Sequence, residues 1–75
     1  MKSKLNIILK ELRKKSGKTQ EEIAKELNIS QEAYSNYENG KRTPDIDMII
    51  EIADYYNMPI DILVGRYEKV NYENS

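Results

Sequence analysis

The sequence predicts an all-α fold, a compact bundle of five short helices. Three observations lead there. Apolar residues recur at three- and four-residue intervals, as in Leu5, Ile8, Leu9 and Leu12, the spacing of one face of an α-helix. Residues suited to helix ends punctuate the chain at Gly17, Asn28, Asn39-Gly40 and Asn57. No segment reads as a strand, and there is no repeat, low-complexity stretch or linker.

The first amphipathic helix covers about residues 4–15 and stops at Ser16-Gly17. Thr19 caps the second helix, and Glu22 three residues on completes a capping box. Ile23, Ala24 and Leu27 give that helix one apolar face. Asn28 closes it, since Asn tolerates the left-handed conformation of a tight turn. Ile29, a lone apolar residue in the turn, plugs the angle between two helices. Ser30 caps the third helix and Asn39-Gly40 ends it. Beyond Thr43-Pro44, Asp45 caps a fourth helix in which Ile46, Ile49, Ile50, Ile52, Ala53 and Tyr56 span an arc of about 160°. So broad an arc predicts deep burial. Asn57-Met58-Pro59 breaks this helix, Pro59 opens a short fifth one, and Gly65 ends it. Residues 1–65 therefore form one domain, and residues 66–75, RYEKVNYENS, with no helical period, are expected to be a loose tail.

The third helix raises the question of function. On a wheel, Gln31, Glu32, Ser35 and Asn36 fall within an arc of about 140°, opposite Ala33, Tyr34 and Tyr37. The polar arc consists of short, directional hydrogen-bonding heads and lacks the Lys and Glu pairs that usually solvate a helix. It is either an ordinary exposed face rich in amides or a surface that reads a partner.

Charge is unevenly distributed. The net charge is −1, but residues 1–42 hold ten Lys and Arg against six Asp and Glu, and residues 43–75 hold two against seven. Such a two-ended chain suits an anionic partner at one end, although a Lys-rich helix can also be simply solvated. With no Cys and no His, the chain has no disulfide, no thiolate or imidazole metal site and no Cys- or His-based nucleophile machinery. Asp45 reads as a cap, and Asp47, Glu51 and Asp54 read as a solvated face. No enzyme and no cofactor are expected. The chain lacks the run of about 18 apolar residues that a membrane span needs and is read as soluble, unprocessed and cytoplasmic.

The stretch from Thr19 to Pro44, TQEEIAKELNISQEAYSNYENGKRTP, resembles the helix-turn-helix domains of the phage repressor and Cro type, also called the XRE family. Two helices meet across a turn of about three residues, with small Ala24 where a bulky side chain would force them apart. Arg13, Thr19-Gln20, Ala24, Ile29-Ser30, Glu38-Asn39-Gly40 and Pro44 stand in the family's order and spacing. The resemblance covers roughly residues 5–65 and implies a lambda-repressor-like bundle that binds double-stranded DNA.

The resemblance also implies roles. The third helix would lie in the major groove. Gln31 and Asn36 would each bond adenine in bidentate fashion or several bases singly. Glu32 would accept from cytosine or reject other sequences, and Ser35 would bond a base or a phosphate. Gln20, Asn39, Lys41 and Arg42, with a weaker contribution from Lys18, would hold phosphates and set register. Arg13 and Glu38 would form a structural ion pair that orients the third helix. Tyr34 and Tyr37 depart from the commonest pattern. Their rings are expected in the core and their hydroxyls at the rim, near enough for a phosphate. Asn28 stands where Gly is frequent.

On the fifth helix Ile60, Leu63 and Val64 share a face and Ile62 falls opposite. Ile62 is either a single exposed isoleucine or part of a homodimer interface extended by Met58, Pro59 and Tyr55. The function implied is a transcriptional regulator, acting as a homodimeric repressor on an inverted repeat. The alternative is a helical protein-interaction module, such as an antitoxin or adaptor with its own protein partner, in which DNA binding is lost or secondary.

Overall fold

The computed structural model describes residues 4–64. Five helices follow one another: α1 (Leu5–Ser16), α2 (Gln20–Glu26), α3 (Gln31–Glu38), α4 (Ile46–Tyr56) and α5 (Ile60–Leu63). Among the described residues there is no strand, and no helix is long and apolar enough to cross a membrane.

Local chemistry sets most of the boundaries. Gly17 ends α1 at φ +73°, where its amide bonds the carbonyls of Arg13 and Lys14. Thr19 and Glu22 form the capping box of α2: the Thr19 hydroxyl accepts from the Glu22 amide and the Glu22 carboxylate from the Thr19 amide. Ser30 and Asp45 accept from the amides of Ala33 and Met48. Each cap satisfies one of the four amides that a helix start leaves unbonded. Asn28 and Asn57 take positive φ, at 63° and 55°, a conformation that costs Asn less than most residues. Pro59 is the N-cap of α5, one residue before its first turn, and Val64 caps its end. Gly65, expected as that cap, and the 66–75 tail lie outside the described residues.

Leu5 and Leu9 of α1, Ile23 and Ala24 of α2 with its cap Leu27, Tyr34 of α3, Ile52 and Ala53 of α4 and Leu63 of α5 form one core. The Lys4 amide donates to the Val64 carbonyl at 3.2 Å, tying the start of α1 to the end of α5. The α4 arc departs from expectation. Ile52 and Ala53 are buried and Ile49 and Tyr56 half-buried, but Ile46 is 61% exposed and Ile50 42%. The width of an apolar arc reports how much surface favours cover. Ile46 and Ile50 lie together at one edge of the arc, and the other short helices of one small domain leave that edge uncovered.

Ala24, 2% exposed, lies where α2 faces α3. Ala24→Leu should overpack this crossing and cost about 1–3 kcal/mol. Thermal unfolding followed by circular dichroism should show a clear drop in midpoint; an unchanged midpoint would mean that α2 and α3 can separate freely.

Candidate nucleic-acid interface

The turn between α2 and α3 is held by its own backbone. Ile29 donates to the Ala24 carbonyl at 3.0 Å and Asn28 to that of Lys25 at 3.1 Å. Ile29 packs half-buried against the core. The two helices are thus joined at a fixed angle, with α3 beginning at an exposed Ser30.

The far end of α3 is anchored by a buried carboxylate. Glu38 is 5% exposed. Arg13 Nε of α1 donates to its Oε2 at 2.6 Å, and Arg13 Nη2 to its Oε1 at 3.2 Å. Gln20 Nε2, at the start of α2, donates to the same Oε1 at 3.0 Å. Arg13 Nη1 bonds the Lys18 carbonyl at 3.1 Å. One side chain of α3 is therefore bonded to both α1 and α2. The Gln20 bond was not foreseen. It uses one of the two amide protons that Gln carries, so the side chain keeps a second donor.

Tyr34 corrects the expectation for its hydroxyl. The residue is fully buried, and its oxygen, like that of Tyr56, lies inside beside Glu38 without meeting hydrogen-bond geometry. The Tyr34 hydroxyl is therefore out of reach of a phosphate. Burial pushes the Tyr34 phenol well above its ordinary value and that of Tyr56 up to about 12. Tyr37 is half-buried against the core.

The polar arc of α3 faces out. Gln31 and Glu32 are exposed, and Ser35 and Asn36 half-buried. Ser35 Oγ accepts from Asn39 Nδ2 at 3.3 Å. The side chains of Gln31, Glu32 and Asn36 take no hydrogen-bond partner among the described residues. Past the helix the Asn36 carbonyl accepts from the amides of Lys41 at 2.9 Å and Arg42 at 3.2 Å, which folds this loop back on α3. Lys41 and Arg42 are exposed, again with no side-chain partner among the described residues. Gly40, at φ +76°, passes so close to α1 that a Cβ there would stand 3.3 Å from Asn6 Nδ2. A side chain there would be strained at this φ and would need the Asn6 side chain to give way.

The Lys18 ammonium already has partners. Its Nζ bonds both carboxylate oxygens of Glu26, at 3.0 and 3.2 Å, and the Tyr55 hydroxyl at 2.8 Å. The Tyr55 hydroxyl, half-buried with its residue, is thus occupied by Lys18 and Glu26. Ile62 is 39% exposed, Pro59 exposed and Met58 half-buried against the core.

Residues 9–63 match the family model described as Helix-turn-helix. The chain belongs to the helix-turn-helix family of the phage repressor and Cro type. It is a DNA-binding domain of that family, with α2 and α3 as the two helices of the motif. It is similar to the HTH-type transcriptional regulator ImmR of Bacillus subtilis, with 45% identity over 60 residues covering 80% of this chain and 47% of ImmR. The cryptic phage CTXphi transcriptional repressor RstR of Vibrio cholerae is 40% identical over 55 residues, covering 73% of this chain and 49% of RstR. The domain therefore spans about half the length of these two relatives. A crystal structure of a transcriptional regulator from Listeria innocua superposes with a TM-score of 0.82 at 32% identity, covering 87% of this chain and 61% of that one.

Burial pushes the Glu38 carboxyl up, but the bonds from Arg13 and Gln20 outweigh it and hold it below its ordinary 4.5. A carboxyl lowered in the folded state gives stability that is complete above the unfolded value and lost as pH falls through the folded one. Glu38→Gln should therefore be less stable than wild type at pH 7, by about 1–3 kcal/mol. In urea unfolding the difference should shrink as pH drops below 4.5. A difference that is constant from neutral to acid pH would show that the carboxylate charge is not what the site holds.

Proposed function

We propose that this domain reads duplex DNA by sequence and represses transcription as a homodimer bound to an inverted repeat. The observation that carries the reading is a division among polar side chains. Arg13 and Gln20 both donate to Glu38 at the end of α3, while the side chains of Gln31, Glu32, Asn36, Lys41 and Arg42 have no partner among the described residues. Amide and carboxylate heads held rigidly on a helix match the donor and acceptor pattern that base pairs display in the major groove. The cations beyond the helix end match phosphates, which fix register without reading sequence.

In this reading α3 enters the groove, Gln31 and Asn36 bond adenine edges, Glu32 accepts from cytosine, and Ser35 bonds a base or phosphate. Gln20, through its second amide proton, and Asn39, Lys41 and Arg42 hold phosphates. Lys18 is left out, because Glu26 already neutralises it. Exposed Ile62 with Pro59 and Met58 forms the two-fold contact, placing the two recognition helices about 34 Å apart, one turn of duplex. Repression is supported by the names of the similar regulators and rests on occupancy of a promoter. The domain works in the cytoplasm, where the DNA is. The exposed isoleucines also suit a second reading, in which a different protein covers them; substitutions on α3 would leave that binding intact.

Asn36→Ala should relax base preference at one or two operator positions by about 1–3 kcal/mol, measured by competition between single-base operator variants. Unchanged preference would remove Asn36 from the reading surface. Arg42→Ala should weaken binding to all sequences and flatten the slope of log affinity against log salt by about one unit. A slope equal to wild type would place Arg42 away from phosphate.

A further inference from the structure

Lys18, in the turn between α1 and α2, is joined to two other elements at once. Its Nζ bonds Glu26, the last residue of α2, and the Tyr55 hydroxyl near the end of α4. The Tyr55 hydroxyl in turn donates to Glu26 Oε1. The ammonium also lies 5.3 Å from the centre of the Tyr55 ring, within cation–π range. Ammonium, carboxylate and phenol thus close a triangle between the α1–α2 turn, α2 and α4. The bonds from Tyr55 and Lys18 hold the Glu26 carboxyl below its ordinary value, and the charges of Lys18 and Glu26 cancel.

The triangle connects in both directions. The Lys18 carbonyl accepts from Arg13 Nη1 at 3.1 Å, so the turn it fixes is the one that also meets the Arg13–Glu38 pair under α3. The Tyr55 ring stands edge-on to that of Tyr56 at 4.9 Å, and the Tyr56 hydroxyl is buried beside Glu38. From Tyr55 the chain runs directly through Asn57 and Pro59 into α5, where Ile60 and Ile62 are exposed. A partly exposed pair adds little to stability. Its consequence is directional: the two bonds at the Tyr55 hydroxyl, one from Lys18 and one to Glu26, fix where the end of α4 stands relative to α2.

We infer that Lys18 and Tyr55 are positioning residues that, by locking the end of α4 to the α1–α2 turn, set the distance between the two recognition helices of a dimer and so the half-site spacing it accepts. This rests on the homodimeric DNA-reading function proposed above. Lys18 acts through Glu26 and Tyr55 and touches no phosphate.

The test uses the 75-residue chain and inverted repeats recovered by selection from random duplexes, rebuilt with one base pair added or removed between half-sites. Wild type, Lys18→Met, Lys18→Arg and Tyr55→Phe are compared for affinity to each spacing, with circular dichroism melts confirming that each is folded. Lys18→Met and Tyr55→Phe should each reduce the preference for the best spacing by up to about fivefold, the effect that a partly exposed pair allows. Lys18→Arg should retain the preference, and the salt slope should stay at the wild-type value in all three variants. Uniform weakening at every spacing, or an unchanged spacing preference, would overturn the inference and leave the triangle a packing feature. A salt slope lower by about one unit in Lys18→Met would overturn it differently, by making Lys18 a phosphate contact. If wild type itself shows no spacing preference, the dimeric reading fails, and the inference falls with it.

Discussion

The arrangement of this domain depends on one buried carboxylate. Glu38 closes the last turn of α3 and is almost fully withdrawn from water, a position that an ionised group holds only with partners around it. Arg13 supplies a two-point bond from α1 and Gln20 a third bond from the first residue of α2. A single acceptor group thereby fixes α3 against both helices that precede it. The other end of α3 is set by the α2–α3 turn, where Asn28 takes the left-handed conformation and Ala24 lets the helices approach. A helix fixed at both ends can present a polar face with little freedom to swing, and rigid presentation is what recognition of base edges demands.

The same carboxylate divides the polar residues into two sets. Those held by another side chain are Arg13 and Gln20 on the Glu38 carboxylate and, at the surface, Lys18 on Glu26 and Tyr55. Those facing outward on α3 and its following loop are amides, a carboxylate and two cations whose bonding capacity is directed at solvent in the free domain. The net charge of −1 obscures this division. Lys18, counted among the basic residues of the first half, is neutralised locally by Glu26, while Lys41 and Arg42, only two charges, stand where α3 ends. Position counts for more here than total charge, because exposed charges farther apart than about 8–10 Å are largely screened at ordinary salt.

Much of the fold was legible because its signals are local. Thr19 with Glu22, Ser30 and Asp45 cap helices through bonds to amides three residues on, and Gly17, Asn28, Gly40 and Asn57 mark the positive-φ positions. The face of α3 that points outward followed from helical periodicity alone. What escaped were relations across the sequence. Nothing near Gln20 announces a bond to Glu38, 18 residues away, nor does anything near Lys18 announce Tyr55, 37 residues away. A phenol usually seeks water, which by itself puts the Tyr34 hydroxyl at the rim, but the core of this small domain encloses it completely. The wide apolar arc of α4 suggested burial throughout, but periodicity cannot tell how much neighbouring surface is available, and Ile46 and Ile50 remain exposed.

In the proposed function, a rigidly held α3 makes this helix-turn-helix domain a reader of paired half-sites. Its most direct test is selection of bound duplexes from a random pool at physiological salt, followed by sequencing. An inverted repeat whose half-site centres lie about one helical turn apart should be enriched. A folded protein that enriches no sequence would contradict it.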